Sequence, residues 1–168
     1  ADFPYAMKNL VKNEAAKGKY TDEKIESLKY SCSCFILYLG MDRQYDELEH
    51  VHTFVFSEDL DKNLDQVFSG EPIEDPSLYV VAASKVDPTV APEDKDGLFI
   101  LVPVADLGTT QQDWHDEKTI QYYRQKALDG VSHLPGMSNI EEEIISESII
   151  TPLDFEKRFN AYNGACFG

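Results

Sequence analysis

Two histidines beside two glutamates form the densest group of potential metal ligands in this sequence. His50 and His52 lie close to Glu47 and Glu49. Imidazole and carboxylate groups bind zinc and other transition metals, but a complete site needs three or four ligands fixed by the fold. His-x-His beside glutamate is common in polar surface loops, and no third and fourth ligand can be assigned. The pattern therefore predicts no metal site.

Two serines could be taken for nucleophiles because they lie in an otherwise apolar run. Ser31 and Ser33 flank Cys32, but no Gly-x-Ser-x-Gly turn surrounds either hydroxyl. Small residues inside a buried strand more often allow close packing of the neighbouring elements. We therefore assign no catalytic residue in this chain.

Aromatic side chains on predicted strands suggest a binding surface for an apolar ligand. A long apolar ligand requires a long apolar lining, because each buried methylene contributes about 0.8 kcal/mol. Ordinary core packing explains any one of these residues better, and only the resemblance described below favours a lining for the set as a whole. The candidate lining residues, including the two serines, are Tyr30, Ser31, Ser33, Phe35, Tyr38, Tyr79 and Phe99.

The element expected to position most of these residues is a strand over residues 29–40. Alternation places Tyr30, Ile36 and Tyr38 on one face and Phe35 and Leu37 on the other. Neither face is plainly polar, so we expect helices or a second domain to exclude water from both.

The remaining patterns predict an α+β fold, in which a mixed, largely antiparallel sheet of about five strands is packed by helices. Apolar runs and turn residues predict the other strands at 52–57, 78–84, 98–103 and from about 144. Helical spacing and capping residues predict helices at 4–13, 21–28, 59–69, 115–134 and 152–159. In the third of these, Leu60, Leu64, Val67 and Phe68 form the apolar stripe.

Composition limits the classes of partner and the cellular compartment. The 168 residues fit one domain, and 31 acidic against 15 basic residues give a net charge of −16, which disfavours nucleic-acid binding. Three cysteines do not describe a disulfide framework and indicate reduced thiols in a cytoplasmic protein. No apolar run approaches the roughly 20 residues of a membrane helix, and no signal peptide pattern is present.

Several segments resemble the bacterial carotenoid desaturases, the FAD-dependent phytoene and dehydrosqualene (diapophytoene) desaturases. The pattern Tyr-Ser-Cys-Ser-x-Phe-x-x-Tyr-Leu-Gly at 30–40 carries the first part of this likeness. It continues, in the family's order, through 52–59, 74–79, 87–92, 100–104, 150–155 and 162–168. The resemblance implies a substrate-binding domain of the FAD-linked amine-oxidase-like fold. It also implies an apolar C30 or C40 isoprenoid substrate and peripheral contact with the inner face of the cell membrane.

The same resemblance implies that residues 1–168 are one substrate-binding domain excised from a longer flavoenzyme. Residues 1–5 and 163–168 would be its junctions to an absent FAD-binding domain. The chain has no Gly-x-Gly-x-x-Gly motif, so we do not expect the isolated segment to bind FAD or to be active. Two alternatives stay open. The parent could be another flavin oxidoreductase (a carotenoid isomerase, a retinol-saturase-like enzyme or an amine oxidase), or the chain could be a stand-alone apolar-ligand-binding or interaction module.

Overall fold

A five-stranded sheet organises the computed structural model, which describes residues 2–167. The strands are β1 (Ser33–Met41), β2 (His52–Val55), β3 (Leu78–Ala82), β4 (Asp96–Val104) and β5 (Ile144–Ile150). Their spatial order is β2-β3-β4-β1-β5, and each neighbouring pair is antiparallel. The predicted α+β class and the five strands are confirmed, and the sheet proves to be wholly antiparallel rather than mixed.

The helices of this structure lie in three parts of the chain. Near the N-terminus are α1 (Phe3–Tyr5), a π-helical turn (Ala6–Leu10), α2 (Glu14–Lys17) and α3 (Asp22–Glu26), so the predicted continuous helix at 4–13 is broken. The middle carries α4 (Leu60–Ser69) and α5 (Glu117–Ser132), and α6 (Pro152–Phe159) follows β5. Short 3₁₀ turns occupy Ala83–Lys85, Pro88–Val90, Ile140–Glu143 and Tyr162–Gly164.

Strand β1 lies at the centre of the fold, as predicted, but it starts later and ends later than the sequence suggested. It begins at Ser33 and runs past Gly40 to Met41, where a register shift against β5 interrupts the pairing. All nine of its residues pair with β4, from Ser33 opposite Val104 to Met41 opposite Asp96. Tyr30 and Ser31 therefore precede the strand.

One face of the sheet forms the hydrophobic core. Phe35, Leu37 and Leu39 on β1 are 0–2 % exposed. Helix α5 covers this face with Tyr123, Ala127, Leu128 and Val131, which recur at helical spacing. The helix predicted at 115–134 is thus confirmed, and it is two residues shorter at each end.

The second face is apolar but only partly covered, so residues 2–167 exclude water from one face only, and cover of the other by a second domain stays a prediction. Cys34 and Ile36 on this face are buried, whereas Tyr38, two residues further along β1, is 47 % exposed. Helix α6 packs against β1 and β5, and the backbone N–H of Cys166 donates to the Cys32 carbonyl at 3.0 Å. These segments lie at the start of β1, and the rest of the second face stays open.

Helix α4 turns its polar side inward, contrary to the apolar stripe predicted for it. Leu60, Leu64 and Phe68 are 44–60 % exposed, and of the predicted stripe only Val67 is buried. The physical reason lies in the loop before β3, whose backbone needs partners. Asn63 Oδ1 accepts from the Ser77 N–H at 3.2 Å, and Gln66 Nε2 donates to the Pro72 carbonyl at 3.0 Å. These two bonds fix the rotation of the helix.

The predicted ends of α4 are confirmed and show why the helix starts and stops there. The Asp59 carboxylate accepts from the Lys62 N–H at 3.0 Å and caps the N-terminus. Gly70 takes the left-handed conformation at φ 80°, and a Cβ there would overlap the Thr109 carbonyl oxygen. Only glycine fits this position.

The two ends of the described chain lie beside each other. The Asp2 carboxylate accepts from the Tyr162 N–H at 2.6 Å and from the Tyr5 N–H at 2.9 Å. The predicted junctions 1–5 and 163–168 each include one residue, Ala1 or Gly168, that lies outside the described residues.

Candidate functional site

A row of four aromatic side chains crosses the open face of the sheet, one from each of four neighbouring strands. We call Phe54 (β2), Tyr79 (β3), Phe99 (β4) and Tyr38 (β1) the aromatic row. Their ring centroids are separated by 4.8 Å, 6.1 Å and 5.3 Å in that order. Strand register places them on one face, since Phe54 pairs with Tyr79 and Phe99 pairs with Tyr38. The row crosses the four strands with one diagonal step, because Tyr79 pairs with Leu101, two residues from Phe99 on β4.

A groove of about 460 Å³ lies beside this row on the same face. Gly40 and Gly97 form its floor, Val81, Ala83 and Val90 one wall, and Ser146 and Ser148 the other. Its volume lies within the range of small-molecule sites, but it is open to solvent along its length. We call it the glycine groove.

The electrostatics of this face favour an uncharged ligand. Among the described residues that line the glycine groove, Glu147 alone carries a charge. Its carboxylate accepts from Arg124 Nε of α5 at 2.8 Å, which holds it toward the opposite face of the sheet. At the edge of the row, Tyr79 Oη and His52 Nδ1 are hydrogen-bonded at 2.7 Å. A charged group placed in the groove would therefore find no counter-ion among the residues that line it.

Three of the residues proposed from the sequence come together on this face, namely Tyr38, Tyr79 and Phe99. Two others, Ser33 and Phe35, are fully buried on the core face of β1. The Phe35 ring packs against Trp114 and Tyr123, with centroids 5.9 and 6.0 Å away. Phe35 therefore belongs to the core, whereas the Ser33 hydroxyl contacts the C-terminal segment, with its Oγ 4.0 Å from Cys166 Sγ.

The remaining two candidates lie near the chain's C-terminal segment and away from the row. Tyr30 Oη donates to the Ile25 carbonyl at 2.6 Å, and its ring packs on Tyr162 at 4.9 Å. Ser31 Oγ accepts from the Phe167 N–H at 2.9 Å. Both side chains tie the segment before β1 to its neighbours.

Sequence reasoning missed Phe54, Val81 and Gly97. Alternation within the predicted strand 52–57 places Phe54 and His52 on the same face, so the position of Phe54 could have been predicted from the sequence. Gly97 instead looked like part of a turn, because it follows Asp94 and Lys95 in a segment rich in turn residues. Its position in β4, opposite Gly40, follows only from strand register.

A separate group of three free thiols lies where the C-terminal segment meets β1: Cys32, Cys34 and Cys166. Interaction with the Cys166 thiol, together with burial, raises the pKa of Cys34. The same interaction lowers the pKa of Cys166, against the opposing effect of burial. Burial raises the pKa of Cys32. Cys166 is therefore the most acidic thiol of the three.

The described residues do not fit a flavin dinucleotide. Such a site needs a strand, a glycine-rich turn and a helix N-terminus that accepts the pyrophosphate. Here the segment between β2 and α4 contains no glycine, and its acidic residues Glu58 and Asp59 would repel phosphate. The N-terminus of α5 is likewise acidic, with Asp116 as its cap. FAD would have to be held by residues other than those described.

Two features are absent from residues 2–167. No group of three or more histidine, cysteine, aspartate or glutamate side chains is arranged to hold a metal ion. No helix in this part of the chain combines the length and apolar character needed to cross a membrane.

Comparison with known proteins identifies relatives along the whole chain. The chain is 38 % identical over 168 residues to a 4,4'-diapophytoene desaturase (4,4'-diaponeurosporene-forming) of Staphylococcus haemolyticus (strain JCSC1435). It is 36 % identical over 169 residues to the protein of the same name from Staphylococcus aureus (strain Newman). Each match covers 100 % of this chain and 34 % of the relative, so the chain spans about a third of the length of these relatives. No family model matches the chain. The resemblance drawn from the sequence is confirmed: this chain is a homologue, along its full length, of one segment of the 4,4'-diapophytoene desaturases of the carotenoid desaturase family.

Proposed function

We propose that this chain is the substrate-binding part of an FAD-dependent oxidoreductase that desaturates a C30 or C40 isoprenoid, such as dehydrosqualene or phytoene, in carotenoid biosynthesis. The open, apolar face with its aromatic row and glycine groove is the observation that carries this proposal. The names of the relatives support an isoprenoid hydrocarbon, a ligand that has neither charge nor strong hydrogen-bonding groups.

The physical basis is the match between such a ligand and this surface. Each methylene removed from water contributes about 0.8 kcal/mol, and aromatic rings add favourable contacts with conjugated carbon chains. The row offers four rings on one face without an intervening charged side chain among the described residues. A hydrocarbon chain lying on this face replaces water against apolar atoms.

The chain's own role in this proposal is to bind and orient the substrate. Because its described residues do not fit FAD, we assign to them no catalytic role and no redox step. The open side of the face would be closed by the FAD-binding domain of the same flavoenzyme, which would also complete the exclusion of water. The insolubility of the substrate supports peripheral contact of the whole cytoplasmic enzyme with the membrane.

A second function, from another class, is a stand-alone module that binds an apolar ligand. The open apolar groove supports it as well, because binding an apolar ligand needs no redox group. Both functions predict isoprenoid binding on the open face, and only the enzyme predicts turnover.

Turnover can be tested by placing this chain within a relative. The matching third of the S. haemolyticus desaturase is replaced by this chain, and the chimera is expressed in cells that make 4,4'-diapophytoene. We expect formation of coloured 4,4'-diaponeurosporene, measured by visible absorption of the extracted pigment. A folded, flavin-loaded chimera that binds the isoprenoid but gives no pigment would contradict the enzyme function. The stand-alone binding module would then be the better explanation.

Two matched variants show whether the open face is responsible. Phe54→Ser removes a ring of the aromatic row that is 63 % exposed, and Phe68→Ser removes a ring on α4 that is 60 % exposed. We expect pigment formation to fall strongly in the first and to stay at the level of the unsubstituted chimera in the second.

A further inference from the structure

Two glycines face each other across the centre of the sheet. Gly40 on β1 pairs with Gly97 on β4, two residues beyond the Tyr38 and Phe99 pair. Since a strand rises about 3.4 Å per residue, the glycine pair lies about 7 Å from the row. Without side chains, the two residues expose bare backbone as the floor of the groove. The open face therefore consists of the aromatic row and, beside it, the shallow channel of the glycine groove.

The two glycines differ in what would happen if either gained a side chain. A Cβ at Gly40 would overlap Ser146 Oγ of β5, so the Ser146 side chain would have to move to make room for it. A Cβ at Gly97 would meet no atom within 4 Å. The φ angle of Gly97 is not positive, so its backbone conformation suits any residue. Neither packing nor conformation requires glycine at position 97.

Glycine in a strand weakens the strand, because it gives up backbone entropy and packs nothing against its neighbours. Because Gly97 has no side chain, it leaves empty space above the strand. That space is bounded by Val81 and Val90 on one side and by Ser146 on the other. It is the part of the groove that a side chain at position 97 would fill.

We propose that Gly97 is a specificity-determining residue, whose missing side chain lets a long isoprenoid continue past the aromatic row along the glycine groove. This inference rests on the proposed isoprenoid binding. A short isoprenoid would occupy the row alone, whereas a C30 chain would also fill the channel over Gly97. A large residue at position 97 would therefore weaken the binding of long isoprenoids and leave the binding of short isoprenoids unchanged.

The test uses this chain and two isoprenoid probes of different length. Retinol, a C20 polyene, accepts excitation energy from Trp114, the single tryptophan, which lies on the opposite face of the sheet. Quenching of Trp114 emission gives the retinol Kd, and displacement of retinol by squalene, a C30 hydrocarbon delivered from cyclodextrin, gives the squalene Kd.

For Gly97→Leu we expect a retinol Kd within twofold of the unsubstituted chain and a squalene Kd at least tenfold higher. A tenfold loss corresponds to about two methylene groups that no longer contact the protein. Gly97→Ala should give an intermediate squalene Kd. Gln121→Leu adds the same side chain on an exposed position of α5, across the sheet from the groove, and should change neither Kd.

The outcomes separate this inference from the proposed function. If the unsubstituted chain binds both probes but Gly97→Leu weakens both equally or neither, the inference about Gly97 is overturned and isoprenoid binding stands. If the unsubstituted chain binds neither probe, both proposals fall. Unfolding midpoints of the variants confirm that the comparison is made between folded proteins.

Discussion

Phe35 and Tyr38 offer a direct test of the two-faced character of β1, because they lie three residues apart on the same strand and face opposite sides. Phe35 is fully buried against Trp114 and Tyr123, whereas Tyr38 is 47 % exposed beside Phe99. We expect Phe35→Leu to destabilise the fold clearly and Tyr38→Leu to leave it nearly unchanged.

The size of the difference follows from the contacts of each ring. Phe35→Leu removes two aromatic pairs, each worth about 0.5–1.5 kcal/mol beyond burial, so the loss should be about 1–3 kcal/mol. Tyr38→Leu removes one half-exposed cross-strand pair, which corresponds to about 1 kcal/mol or less. Against a typical domain stability of about 5–15 kcal/mol, neither change should prevent folding.

Equilibrium unfolding in urea, followed by circular dichroism and by Trp114 fluorescence, measures both losses. The slope of the unfolding free energy against urea concentration should be the same in all variants, so that a shift in the midpoint reports a change in stability. If Tyr38→Leu costs as much as Phe35→Leu, then both faces of β1 are equally buried and the open face does not exist.

Three further predictions concern ionisation, close packing and thiol reactivity. Burial raises the pKa of Tyr123 to about 12, whereas the residue ionises near pH 10 in an unfolded chain. Its stabilising contribution is therefore complete below pH 10 and lost as the pH rises through about 12. Tyr123→Phe should flatten the fall in urea midpoint between pH 9 and pH 11.5, and an unchanged slope would refute this. Gly40→Ala should lower stability because its Cβ overlaps Ser146 Oγ, and Ser146→Ala in the same chain should restore most of the urea midpoint; no rescue would contradict the contact. At neutral pH, iodoacetamide should modify Cys166 before Cys34, since the pKa of Cys166 is lowered and that of Cys34 raised. Mass spectrometry of timed samples checks this order, and earlier labelling of Cys34 would contradict it.

The sequence predicted the elements well because their signals are local. Asp59 and Gly70 mark the ends of α4, and the spacing of Tyr123, Ala127 and Val131 marks the buried side of α5. Such features depend on hydrogen bonds and contacts within a few residues, which one sequence contains in full.

What the sequence could not show is which apolar face meets the core. On β1, the side chains that point to the two faces are similarly hydrophobic, so alternation identifies two faces but not their surroundings. Helix α4 shows the same limit, because hydrogen bonds from Asn63 and Gln66 to the loop before β3 decide its rotation. The pairing of Gly97 with Gly40 likewise depends on a register between strands distant in sequence.

Photolabelling measures directly whether an isoprenoid chain binds on the open face. A C20 isoprenoid carrying a diazirine is bound to the chain, irradiated, and the modified residues are found by mass spectrometry after digestion. We expect labels on Tyr38, Tyr79 and Phe99 that squalene suppresses. Labels concentrated on the exposed stripe of α4 (Leu60, Leu64 and Phe68), or labels on the row that squalene does not reduce, would contradict it.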